Sequence, residues 1–186
     1  ADPNENDGKI YEFSLDPTCE SPAVTPTPTP TPVTTAIANS SFEVDANGDN
    51  RPDNWSSSPK FTRSSEQAQL GTYSGKFLIS DNTGATITQT VKNLTGGTSY
   101  NIGAFVNIPP LSDTDFSITL KVIWKNSAGS TVGTSVIKAY TSQTAGWDQG
   151  SIIANATGTT TTASVQVVVK KLNGTIYVDN YTLTPQ

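Results

Sequence analysis

The chain has 186 residues, 11 of them basic and 16 acidic, a net charge of −5, no histidine, no methionine and one cysteine. No basic run marks it for nucleic acid, and no apolar stretch reaches the ~20 residues of a membrane-spanning helix. Without histidine, Ser-His, Cys-His and His-metal chemistry are excluded. Abundant Thr and Ser beside a single Cys19 suit an extracellular protein. No signal peptide is present, so Ala1 reads as a mature N-terminus or as a boundary cut into a longer chain. Cys19 is either inert or a cross-link between two copies.

The first 24 residues form a tail. Within it, 9–15 has the period of a half-buried strand, carried by Ile10, Tyr11, Phe13 and Leu15, with Glu12 and Ser14 between the last three. A lone strand needs a partner edge for its backbone groups. Residues 25–35 are a Thr/Pro-rich linker, and the strict alternation over 25–32 favours an extended rod of about 3 Å per residue. Such a run is a spacer and can carry O-linked sugar.

The domain, 36–186, opens with an oxygen-rich loop. Asp45, Asn47, Asp49 and Asp53 stand at odd spacings, so a curled chain can turn several oxygens inward, as calcium requires. Asn50 and Ser56 stand where an EF-hand loop has Gly and Glu, so an EF-hand is ruled against. The alternative is an Asx-rich turn that holds no metal.

Beyond the loop the chain alternates. Short strands are expected at 76–80, 86–94, 100–108, 116–125, 131–140, 147–154, 163–171 and 175–183. The clearest is 116–125, where Phe116, Ile118, Leu120, Val122 and Trp124 share a face. Trp124 is therefore assigned to the core. Turns are expected at 93–98 and 126–129, and a hairpin turn at Lys171-Leu-Asn-Gly174. About nine strands and no helical period give an all-β chain, a two-sheet sandwich rather than a barrel.

At this point the residues resemble a known family. Asn39-x-x-Phe42-Glu43, Asp53-x-Trp55, Gly71-x-x-Ser74-Gly75-Lys76 and Ile87-x-Gln89-x-Val91 follow in order. Leu94, Gly97, Tyr100, Gly146-Trp147, Tyr177-Val178-Asp179-Asn180 and Leu183 complete the series. Over roughly 37–184 this is similar to the jelly-roll carbohydrate-binding modules of the family 4/9 type. The resemblance implies two antiparallel sheets, end-packing Trp55 and Trp147, and a structural calcium near the first and last strands. It places Glu43 and Asp179 at the acidic ligand positions, with the 45–53 loop in or beside the same site.

Sugar recognition needs exposed aromatic faces and planar polar groups. On the strand faces opposite the core the candidates are Asn101, Phe105, Asn107, Lys121, Lys125, Gln166, Lys170 and Tyr177. Phe105 is the most suggestive, a lone aromatic on a polar face. Two functions follow from the residues, both non-catalytic. One is a secreted module that binds a glycan or cell-surface polysaccharide. The other is a self-assembling filament or surface-layer subunit, in which 9–15 completes a sheet of the next copy. Six Asn-x-Ser/Thr sites, among them Asn39-Ser-Ser41, allow surface glycosylation.

Overall fold

The computed structural model describes residues 37–56, 58–112 and 115–186, all within one compact unit, Val33–Gln186. Ile10, Tyr11, Phe13 and Leu15, Cys19 and the Thr/Pro run lie outside the described residues. The elements are β1 (Phe61–Ser64), β2 (Ser74–Val91), β3 (Ser99–Asn107), β4 (Ser117–Lys125), β5 (Thr131–Tyr140), β6 (Trp147–Asn155) and β7 (Thr162–Pro185). Every pairing is antiparallel, and no helix occurs among the described residues.

Two long strands organise the sandwich. β2 and β7 run side by side from Gly75↔Val178 to Val91↔Ala163. The first half of β7 also pairs with β4, from Lys125↔Thr162 to Ser117↔Lys170, and β4 with β5. Its second half pairs with β3, from Asn107↔Tyr177 to Tyr100↔Pro185, and β3 with β6. β1 lines the other side of the start of β2. One ladder thus bends over into two facing layers, the jelly-roll arrangement.

The bend corrects two sequence expectations. Segments 76–80 and 86–94 are one strand, β2, and 163–171 and 175–183 are one strand, β7, so seven strands stand among the described residues where about nine were expected. The expected hairpin at Lys171–Gly174 is not a reversal. Lys171 (φ 51°) and Gly174 (φ 153°) have turn-like backbone, but Leu172 between them is fully buried and pairs with Thr83. Opposite, Asn82 (φ 53°) and the register shifts between Ile79, Thr83 and Ala85 bend β2 to match. Left-handed residues and bulges kink a strand without ending it. β1 had no sequence signal strong enough to be expected.

The core follows from the period-2 patterns. In β4 the buried residues are Ile118, Leu120, Val122 and Trp124, and in β3 Tyr100, Ile102, Ala104 and Val106. Tyr100 packs on Trp124 across the layers with ring centroids 5.9 Å apart, so the expected core place of Trp124 is met. Each aliphatic chain so buried contributes about 1.5–3 kcal/mol. A second cluster closes one region of the core. Phe42 lies 5.0 Å from Trp55 and 5.8 Å from Phe61, and Trp55 lies 5.1 Å from Tyr181.

Asn39 explains why the opening motif has its form. Its Nδ2 donates to the carbonyls of Val44 and Asp53, both at 2.9 Å, and its Oδ1 accepts the Val44 N–H at 2.9 Å. Trp55 Nε1 donates to the Asn39 carbonyl at 3.1 Å. The Asn39 amide is thereby committed inside the protein, which sets it against the sequence expectation of glycosylation at that site.

Candidate functional site

The acidic loop closes on its own amides. Asp45 Oδ1 accepts the N–H of Gly48 (2.9 Å) and Asp49 (3.2 Å), and Oδ2 that of Asn50 (3.0 Å). Asn47 Oδ1 takes the Asp49 N–H at 3.1 Å, Asp49 Oδ1 the Arg51 N–H at 2.9 Å, and Asp53 Oδ2 the Ala46 N–H at 3.1 Å. This is the Asx-turn alternative: short polar side chains satisfying backbone donors two to seven residues away. Among the described residues no three acidic or thiol side chains are grouped as a metal set.

Glu43 and Asp179 behave differently, because the fold brings them close enough to feel each other's charge. Glu43 Oε1 accepts the N–H of Thr72 (3.0 Å) and Tyr73 (2.9 Å). A Cβ on Gly71 would sit 2.3 Å from that oxygen, and Gly71 has φ +76°, so glycine is required there twice over. Asp179 is fully buried. Its Oδ2 accepts the N–H of Gln69 (2.8 Å) and Leu70 (3.0 Å), and its Oδ1 that of Asn180 (2.7 Å). Burial pushes the Asp179 carboxyl above its usual range, three N–H groups pull it back, and the Glu43 charge adds to the upward push. The two acids pin the 65–73 loop. Arg63 reinforces it, donating to the Glu43 carbonyl at 2.5 Å and stacking 3.7 Å from the centre of the Tyr73 ring.

The eight glycan candidates separate onto two sheet faces. Lys121, Lys125, Gln166 and Lys170 belong to β4 and the first half of β7, with Lys121↔Gln166 and Ser117↔Lys170 opposite each other. The outward residues of those two segments include no aromatic ring. Asn101, Phe105, Asn107 and Tyr177 belong to the other layer, on β3 and the second half of β7. The eight therefore do not form one site. Two of them are also not solvated. Asn107 is 8% and Tyr177 6% exposed, and the Tyr177 hydroxyl donates to Glu66 Oε2 at 2.7 Å, while Lys76 holds Glu66 Oε1 at 2.5 Å. Burial and the Glu66 carboxylate push the Tyr177 hydroxyl up to about 12.

What remains on the second layer is a coherent face. Alternation puts Tyr100, Ile102, Ala104 and Val106 in the core, so Asn101, Phe105 and Asn107 point away from it. β6 lies against them in register, with Asn107↔Trp147, Phe105↔Gln149 and Asn101↔Ile153. Phe105 and Trp147 are half-buried diagonal neighbours, Asn101 and Gln149 are exposed, and Ile153 is 66% exposed. The resemblance had reserved Trp147 for end packing. Its place beside Phe105 was hidden because only the register of β3 against β6 shows it.

No protein-family model matches the chain, and no curated protein matches it. Solved structures do. The enzymatically active domain of bacteriophage CBA120 tailspike protein 4 superposes with a TM-score of 0.63 at 14% identity, over 82% of this chain and 21% of that one. The carbohydrate-binding module TmCBM61, in complex with β-1,4-galactotriose, gives a TM-score of 0.55 at 18% identity, over 81% and 97%. The C-terminal family 22 carbohydrate-binding module of Clostridium thermocellum Xyn10B gives 0.56 at 14% identity, over 80% and 95%. This chain spans about a fifth of the tailspike domain and nearly all of each module. The likeness is to the jelly-roll architecture of carbohydrate-binding modules, not to one family among them.

Proposed function

We propose that this chain is a non-catalytic extracellular module that binds a polysaccharide across the outward face of β3, β6 and the second half of β7. The observation that carries the reading is the Phe105–Trp147 pair. Two half-buried aromatic residues stand at diagonal positions on neighbouring strands, with the exposed residues Asn101 and Gln149 on the same side. Pyranose C–H groups pack on aromatic faces, and amides both donate to and accept from sugar hydroxyls. Strand positions hold these groups before the ligand arrives, which lowers the ordering cost of binding. Within this reading Asn107 and Tyr177, on the same side as Phe105 but buried, border the platform without meeting the sugar. Lys121, Lys125, Gln166 and Lys170 have no part in it. Kinship with the family 4/9 type, as opposed to other modules of this architecture, belongs to the proposal too, and rests on the ordered motifs from Asn39 to Leu183.

A calcium ion is also part of the proposal, with its place narrowed to Glu43 and Asp179. These two fit a cation because burial sets like charges near one another, and a bound ion would neutralise them where the 65–73 loop meets β7. Asp45, Asn47, Asp49 and Asp53 are left out of it: like Glu43 and Asp179 they accept backbone N–H groups, but of the acids only Glu43 adds its charge at Asp179.

Pull-down of the full chain on insoluble xylan, galactan and cellulose tests the reading. Retention on at least one of them is expected, and failure to bind any β-1,4-linked polysaccharide contradicts it.

A further inference from the structure

We infer that the turn joining β5 to β6 forms a second carbohydrate subsite, a pocket that takes one neutral pyranose by its vicinal hydroxyls, as a chain end or side branch. The ligand class rests on the glycan-binding reading above. The pocket itself does not. Residues 138–145 and Asp148 line a surface pocket of about 400 Å³, open to solvent and within the size range of small-ligand sites.

The wall is built from fixed polar groups. Asp148 Oδ2 accepts both the Lys138 ammonium and the Tyr140 hydroxyl, the latter at 2.9 Å, which leaves Oδ1 as an acceptor for a ligand. Lys138 also lies 5.1 Å from the centre of the Tyr140 ring. The opposite charges of Lys138 and Asp148 cancel, so the pocket suits a neutral sugar better than a uronate. A carboxylate beside an ammonium can meet two adjacent hydroxyls, one as acceptor and one as donor. Ser142 and Gln143 are exposed on the turn and add a hydroxyl and an amide. Thr144 fixes the turn to the end of β3. Its N–H donates to the Ile108 carbonyl at 3.0 Å, and its Oγ1 accepts the Ile108 N–H at 2.9 Å. The site is thus set before a ligand enters.

Its position relates it to the sheet face. β6 is an edge strand, and its consecutive residues Trp147 and Asp148 point to opposite sides of it. A chain lying on Phe105 and Trp147 can therefore send an end or a branch round the edge into the pocket.

The test is an NMR titration of the ¹⁵N-labelled full chain with methyl β-galactoside, methyl β-glucoside and methyl β-xyloside, then with the matching β-1,4-linked hexasaccharides. Saturable shifts of amides in 138–148 by at least one monosaccharide are expected, weakened fivefold or more in Asp148→Asn and in Gln143→Ala. Gln143 is exposed, so that variant keeps the fold. Hexasaccharide shifts at 101–107 and 147–151 with none in 138–145 overturn the pocket and leave the sheet face standing. Shifts in 138–145 with none in 101–107 sustain the pocket and overturn the face. No response anywhere overturns both, and equal responses in wild type and both variants overturn the pocket.

Discussion

Asp179 and Leu70 are joined through the main chain. The buried carboxylate accepts the Leu70 N–H at 3.0 Å and thereby fastens the loop between β1 and β2 onto β7. Burial holds this carboxyl above its unfolded pKa, so the folded state takes up a proton before the unfolded chain does. Its contribution to stability therefore falls as pH rises through the folded value and recovers as pH drops towards the unfolded value of about 3.9. Unfolding free energies in chelator should show wild type gaining on Asp179→Asn as pH falls from neutral towards about 4. A difference independent of pH contradicts the assignment.

Calcium tests the same pair from the other side. If Glu43 and Asp179 hold the ion, calcium at about 100 times its Kd adds about 2.7 kcal/mol of stability. Chelation then lowers the melting temperature of wild type and leaves that of Glu43→Gln unmoved. A wild-type melt that ignores both calcium and chelator removes the ion from the account.

Gln89 substitutes for a missing strand. Its Nε2 donates to the Ala38 carbonyl and its Oε1 accepts the Ala38 N–H, both at 2.8 Å, so one side chain satisfies both backbone groups of a residue outside the ladder. Gln89→Leu removes both hydrogen bonds and should cost about 1–3 kcal/mol. Urea unfolding measures it as a lower midpoint at unchanged slope.

Tyr181 carries the opposite expectation. Its hydroxyl is buried in the Phe42–Trp55 cluster with no hydrogen-bond partner among the described residues, and burial pushes its pKa up. Tyr181→Phe removes an unsatisfied group and keeps the ring packing, so stability should rise by about 1 kcal/mol. A fall of that size would show that the hydroxyl has a partner.

The strands of one face were readable because their apolar residues alternate without interruption. β4 was readable almost to the residue, and β5 fully, despite its sparser burial. Lys171–Gly174 was not, since a left-handed Lys and a Gly look alike in a hairpin and in a bend. Only the partner strand β2, running past both halves of β7, tells them apart. The acids of 45–53 were legible as a loop, but spacing alone cannot say whether oxygens face an ion or an amide. Phe105 stood out in the sequence as a lone aromatic on a polar face. Trp147, Gln149 and the β5–β6 pocket were missed, because they depend on which strand lies beside β3 and on how a turn folds over its own ends.

The most direct test of the central claim is calorimetric titration of wild type and Phe105→Ala with the β-1,4-linked oligosaccharide that the wild type binds best, with thermal melts of both. Phe105 is only half-buried, so the variant should melt near the wild type yet bind at least tenfold more weakly, about 1.4 kcal/mol. Equal affinity in the two proteins would contradict the sheet face as the glycan platform.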